Sequence, residues 1–288
     1  MTWPLGLFTA CAPWEALPAL ADRAAAAGLA GLDLACKRQR FDPARPVGFW
    51  DNNAAVLDLE AIDDLAPAAR EALDGRGLRC RVLCGYSAPG DLATARRLAA
   101  GARALHAPMV RLMAPGPELG RVAAQLAHER SAWRDLAALG AEASVRFVVE
   151  LHERTVTPSA SAALRILEGV DPGQVGVILD VANLVGEGNE PLPWVVEALG
   201  PYLAHVHVKD VALRSDEPGW GAAATSFVPL GRGVLRWPVC LSILRGAGYT
   251  GWLALENFTG LERGPEGIAA DASWLRAQVA ESEHVRAV

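Results

Sequence analysis

Short apolar runs recur along the whole 288-residue chain, each followed by a longer stretch of alanine, leucine and arginine at helical spacing. The runs predict strands over Gly6–Cys11, Gly31–Lys37, Leu78–Gly85, Met109–Ala114, Val145–His152, Gly176–Ala182, Ala204–Asp210 and Trp252–Asn257. Between them the spacing predicts helices around 14–27, 62–74, 91–105, 118–140, 158–169, 193–199 and 236–247, with a last one near 263–280. Runs such as VRFVVE and VGVILD lack polar alternation, as expected for parallel strands covered on both faces. Asp91 is placed to cap the third helix and Ser159 or Thr157 the fifth. Gly28, Gly77, Gly140 and Gly248 fall where helices should stop. Eight strand-then-helix units without a linker or repeat predict a (β/α)8 TIM barrel, one domain spanning residues 1–288. A doubly wound sheet is the runner-up, but it would usually carry a glycine fingerprint after its first strand. Thr9–Trp14 has none.

Composition narrows the picture. Half the residues are hydrophobic (51%), which excludes disorder, and the net charge of −6 with no basic block argues against a nucleic-acid partner. No stretch approaches a charge-free apolar span long enough for a membrane helix, and the N-terminal segment does not look like a signal peptide. Cys11, Cys36, Cys80, Cys84 and Cys240 are odd in number and contain no CxxC, so buried free thiols in a reduced, cytoplasmic protein are expected. Of the 27 basic residues only Lys37 and Lys209 are lysines, and both fall at predicted strand ends.

Function in such a barrel sits at the C-terminal ends of the strands. The last four predicted strands end in Glu150, Asp180, a histidine of His205-Val206-His207, and Glu256, each after an apolar run. A carboxylate there is costly to bury unless it is paired or ligates a metal. Three carboxylates and an imidazole suit a divalent ion with octahedral leanings, Mn²⁺ first, then Mg²⁺, Co²⁺ or Zn²⁺. The competing reading is that these acids neutralise arginines in the barrel mouth. The GxG pairs at 186–188 and 231–233 lack a third glycine at the required spacing, so no nucleotide cofactor is expected.

The ordered segments FVVELHERT, VGVILDVANLVGEG, LAHVHVKDV and PLGRGVLRWPVCLSILRGAGYTGWLALENF resemble the xylose isomerase-like TIM barrel superfamily of sugar (phosphate) isomerases and epimerases, grouped with AP endonuclease family 2. The resemblance implies metal ligands at Glu150, Asp180, His207 and Glu256, with His205 an ordinary inward core histidine. It also implies proton transfer next to a carbonyl through an enediolate, with Glu150 and Glu256 as base and acid. His152 would bind a substrate oxygen or orient Glu150. Asn183 stands where many relatives have histidine, leaving an amide for hydrogen bonding. Arg232, in a turn often written Gly-Glu-Gly, would meet an anionic substrate or be a solvated turn residue.

Other features bear on the substrate. Trp50, or its neighbour Phe49, would stack on a sugar ring or merely anchor its long loop. Lys209 would stabilise substrate charge or pair with Asp210. The expected partner is a small sugar or keto-polyol, and a homo-oligomer is compatible with the family. A dehydratase of inosose or dehydroshikimate type on the same metal site is an alternative, as is a non-catalytic sugar-binding barrel. The endonuclease reading is disfavoured because six histidines are too few for a trinuclear zinc site when His106, His128 and His284 fall in helices or the tail.

Overall fold

The computed structural model of the chain describes residues 2–218 and 223–285. Its elements run β1 (Leu5–Phe8), α1 (Leu17–Ala26), β2 (Gly31–Lys37), β3 (Leu57–Asp58), α2 (Ile62–Asp74), β4 (Arg79–Gly85), α3 (Leu92–Ala104) and β5 (Met109–Leu112). They continue with α4 (Val122–Ala143), β6 (Arg146–Glu150), α5 (Ala160–Leu167), β7 (Val175–Asp180), the single turn α6 (Val181–Asn183) and α7 (Leu192–Leu199). β8 (Leu203–Val208), β9 (Val211–Pro218), β10 (Ala223–Phe227), α8 (Trp237–Gly246), β11 (Leu253–Leu255) and α9 (Gly267–Glu281) complete the chain.

Eight parallel strands close the barrel in the order β1-β2-β4-β5-β6-β7-β8-β11, with β11 returning to β1. The TIM barrel expected from the apolar rhythm is therefore the observed fold. β7 shows why the pattern lacks alternation: all six of its residues are buried, because one face meets the barrel interior and the other meets helices. Among the described residues, no helix is long and apolar enough to cross a membrane.

Local signals act mostly as the sequence suggests. The Asp91 and Ser159 side chains accept from the backbone N–H of Thr94 and Ala162, capping α3 and α5. Gly28, Gly77 and Gly248 take left-handed φ values beyond their helices. Gly140 does not stop its helix. α4 runs on to Ala143 and ends at Ser144 with φ +55, while a Cβ at Gly140 would lie 2.7 Å from the Val145 carbonyl oxygen. Close approach of helix to strand, not chain reversal, explains that glycine.

Six of the eight barrel strands end earlier than the apolar runs suggest, whereas β2 and β4 end at Lys37 and Gly85 as expected. β7 stops at Asp180 because its side chain turns back to accept from the N–H groups of Ala182 and Asn183, starting a helical turn. The antiparallel hairpin β9–β10 lies between β8 and α8 and was not anticipated, nor was β3 on the edge of β2.

Candidate active site and metal centre

The ends of β6, β7, β8 and β11 bring four side chains together. Register sets Asp180 opposite His207 and Ala254 opposite His207 from the other side, so the two flanking strands deliver Asp180 and, two residues on, Glu256. Glu150 is the last residue of β6, and Glu256 follows β11, its N–H donating to the Val208 carbonyl at 2.9 Å. All four are buried, and one potential ligand atom from each lies within 4.8 Å of every other. His207 Nδ1 is 3.4 Å from Glu150 Oε1 and 3.5 Å from Glu256 Oε2.

Two residues not singled out from the sequence complete the surroundings. Arg111, on β5, sets its Nη1 2.7 Å from Glu150 Oε2, with its guanidinium against the rings of Phe8 and Tyr86. Asp33, in the middle of β2, lies below the cluster: its Oδ2 is 2.7 Å from His205 Nε2 and 3.6 Å from His207 Nε2. His205 is thus inward and buried as expected, but it is held by a buried carboxylate. A lone acid within the apolar run Gly31–Lys37 was the available signal for Asp33. Arg111 is likewise the only charged residue in β5.

Lys209 enters the same cluster. Its Nζ lies 2.6 Å from Asp180 Oδ2 and 3.1 Å from Glu256 Oε2. It does not pair with Asp210, whose oxygens accept from the backbone N–H of Val211, Gly231, Gly233 and Leu235. Asp210 therefore fastens the turn that carries Arg232. Asn183 donates from Nδ2 to the Leu151 carbonyl at 2.9 Å, and the same atom lies 3.5 Å from Glu150 Oε1.

The electrostatics are dominated by burial and crowding. Burial pushes the Asp180 carboxyl up to about 7; Lys209 opposes that rise while the charges of Glu256 and Glu150 reinforce it. Burial would raise Glu256 as well, but Lys209 and His207 bring it down to about 2. Glu150 likewise stays well below the ordinary carboxylate range despite burial, held there by His207 and Arg111. Burial works against charging His207, yet Glu256 and Glu150 lift it well above an ordinary imidazole.

Four buried carboxylates (Asp33, Glu150, Asp180 and Glu256) face two permanent cations, Arg111 and Lys209. Without a metal, a proton on His207 and the raised Asp180 carboxyl relieve part of this excess. In the state ligation requires, with all four carboxylates ionised and both imidazoles neutral, two negative charges are left for one divalent cation to neutralise. The donor set, three carboxylates and an imidazole nitrogen, fits such an ion.

The sequence profile described as "Xylose isomerase-like TIM barrel" matches residues 21–278. The chain belongs to that family. A curated relative, an inosose dehydratase of Bacillus anthracis, is 26% identical over 129 residues, covering 42% of this chain and 43% of the relative. The chain thus matches less than half the length of that enzyme. Among solved structures, the 3-keto-D-glucoside 4-epimerase of E. coli in its apo form superposes with a TM-score of 0.71 at 16% identity, covering 96% of this chain and 100% of that one. The IOLI protein with a bound zinc atom gives 0.73 at 15% identity, covering 97% and 99%. At these identities the likeness to solved structures is one of fold.

In this xylose isomerase-like barrel the remaining residues singled out from the sequence divide into two groups. Trp50 is 53% exposed and packs on Phe258 at 4.4 Å between ring centroids. Phe49 and Phe227, the latter from the hairpin, also contact Phe258, at 5.5 and 5.4 Å. Phe227 in turn lies beneath the Lys209 ammonium, linking this aromatic group to the cluster. Lys37 stays apart: its ammonium donates to the Trp50 carbonyl and holds the loop. His152 is half-buried, with Nδ1 2.7 Å from the Glu153 carbonyl oxygen, and is not among the four converging ligands. Arg232 is exposed on its turn, and its side chain forms no hydrogen bond or ion pair with a described residue.

Proposed function

We propose that the chain is a divalent-metal-dependent isomerase or epimerase of a small keto sugar or sugar phosphate, working by proton transfer at a carbon next to a carbonyl. The observation that carries this reading is the convergence of Glu150, Asp180, His207 and Glu256 within 4.8 Å at the C-terminal end of the barrel. These four residues would hold the metal, with Mn²⁺ the first expectation. The ion would supply polarisation of a substrate carbonyl and stabilisation of the negative charge that develops beside it.

The chain's own groups then divide the work. Arg111 keeps Oε2 of Glu150 occupied, which aims Oε1 at the cluster. Glu150 and Glu256 approach His207 Nδ1 from different strands, placing two carboxylates around one reacting carbon, one to remove a proton and one to return it. Lys209 presents a buried ammonium to a substrate oxygen, and Asn183 and His152 offer further hydrogen bonds. Trp50 supplies an apolar face for a sugar ring at the mouth, and Arg232 stands at the rim for an anionic substituent.

A specific observation favours a second reading, a dehydratase. Glu150 and Glu256 are not equivalent: one is locked to a guanidinium, while the other shares an ammonium with Asp180. An ammonium beside a single base not tied to a guanidinium suits removal of an α-proton followed by protonation of a departing hydroxyl. The inosose dehydratase relative agrees with that alternative.

A panel assay separates them. Chelator-treated protein, reloaded with Mn²⁺, is incubated in D₂O with ketoses, 3-keto-glucosides and inososes. Deuterium entering the α-position without loss of water supports the isomerase or epimerase reading, whereas a new conjugated-enone absorbance supports the dehydratase. Absence of metal binding, together with exchange unaffected by Glu150→Gln, defeats both.

A further inference from the structure

At the N-terminal end of the barrel, opposite the metal cluster, lies a polar cavity of about 320 Å³ that the proposed chemistry does not use. Arg81, Arg146, Ala204, Gly248, Tyr249 and Gly251 are among its lining residues. Arg81 is the third residue of β4, Arg146 the first of β6 and Ala204 the second of β8. Two irregularities in the barrel register meet here. The β2–β4 pairing jumps from Leu32↔Cys80 to Asp33↔Val82, leaving Arg81 unpaired. The β7–β8 pairing jumps from Val177↔Leu203 to Ile178↔His205, leaving out Ala204. Bulges at a barrel rim re-aim side chains, and both of these open onto one cavity.

Among the described residues the two guanidiniums have no acidic partner within ion-pair distance. Arg146 donates only to neutral carbonyls, from Nε to Val175 at 3.1 Å and from Nη2 to Pro201 at 2.9 Å and Tyr202 at 3.4 Å. Arg81 makes no hydrogen bond or ion pair with a described residue, and its Nε is buried and unpartnered. A buried N–H without an acceptor is unusual in a folded protein. Burial disfavours the charge on Arg146, Arg81 disfavours it further, and only Asp171 opposes them electrostatically. Small residues, Ala204 and the glycines of the 248–251 loop, leave the space open.

We infer that this cavity is an oxyanion site, taking a phosphate group carried as the free inorganic ion or on a small phosphomonoester. Arginine forks match tetrahedral oxyanions by paired N–H donors, and a dianion would remove the mutual repulsion of the two guanidiniums. On this face of a TIM barrel the consequence is fold stability rather than chemistry. The inference rests on the fold and does not depend on the proposed reaction.

The test is thermal unfolding of the full chain, titrated with inorganic phosphate at constant ionic strength, with chloride as the reference anion. Phosphate should raise the midpoint saturably, by about 4–5 °C at a hundredfold excess over Kd. Arg81→Gln should abolish the shift, and Arg146→Gln should weaken affinity at least about tenfold. Glycerol 3-phosphate distinguishes the sources: tighter binding than inorganic phosphate identifies an ester, and exclusion identifies the free ion. If Arg81→Gln does not fold, Arg81→Lys, which keeps the charge but not the fork, should still bind about fivefold more weakly. An equal effect of chloride, or a phosphate shift that survives unchanged in the folded Arg81 variant, overturns the inference.

Discussion

Replacing Arg111 with methionine removes one half of a buried ion pair and leaves the other half behind. Arg111 Nη1 is 2.7 Å from Glu150 Oε2, and the two side chains are only 3% and 2% exposed. Methionine fills much of the space between Phe8 and Tyr86, so the change isolates the lost charge rather than a lost volume. Breaking a buried pair in this way costs about 3–5 kcal/mol, because Oε2 of the surviving carboxylate loses its partner while Oε1 keeps only the longer contacts to His207 and Asn183. An unfolding entropy of about 2.1 cal/mol/K per residue, applied to 288 residues, converts this to a midpoint about 5–8 °C lower. The measurement is a calorimetric or circular-dichroism melt in the presence of chelator, so that no divalent ion compensates the missing charge. Arg111→Met combined with Glu150→Leu should recover a large part of the loss, since both partners are then apolar. A single-variant cost below about 1 kcal/mol, or strict additivity in the double variant, would refute the claim that Arg111 holds Glu150 in place.

Three further outcomes follow from the same geometry. Lys209→Arg should lower kcat at least about tenfold on whichever panel substrate is turned over, because a planar fork does not fit where a compact ammonium sits 2.6 Å from Asp180 Oδ2; full activity would return Lys209 to a compositional accident. Asp210→Ala should destabilise the protein by about 2–3 kcal/mol in urea titration, since it frees the N–H groups of Val211, Gly231, Gly233 and Leu235, and a change under about 0.5 kcal/mol would contradict that role. The five cysteines are buried and free, so native protein should resist a thiol reagent that labels all five in denaturant. Burial pushes the thiols of Cys11, Cys36 and Cys240 up to about 12. Their folded pKa values lie above the unfolded value of about 8.5, so they favour the native state below that pH and cost stability as pH rises above it; rapid labelling of a native thiol would show the burial to be wrong.

The part of the site legible in the sequence is the part that a strand delivers locally. An apolar run ending in an acid or histidine places that group at the barrel mouth once the run is known to be a parallel strand, which is how Glu150, Asp180, Glu256 and the pair His205 and His207 stood out; the choice of His207 came from the family resemblance. The roles of Arg111 and Asp33 were not legible. Arg111 meets Glu150 across 39 residues of sequence, and Asp33 meets His205 across 172. The first contact needs the pairing of β5 with β6, and the second exists only when β11 returns to β1 and the sheet closes. Lys209 was legible as a strand-end lysine, but its partners were not, because the adjacent Asp210 turns away to bind backbone amides. Trp50 was visible in its loop, yet the Phe258 and Phe227 rings that back it come from β11's exit and an unanticipated hairpin.

The sequence by itself therefore determined the order of strands and helices, the barrel they form, and the three acids and the His205/His207 pair near the ends of its last strands. These follow from local periodicity and from the cost of burying charge. Tertiary structure alone decided which cation faces which carboxylate, which histidine contacts Asp33 directly, and where register slips turn Arg81 into a cavity. Those outcomes depend on barrel closure and inter-strand register, and no window of consecutive residues contains either.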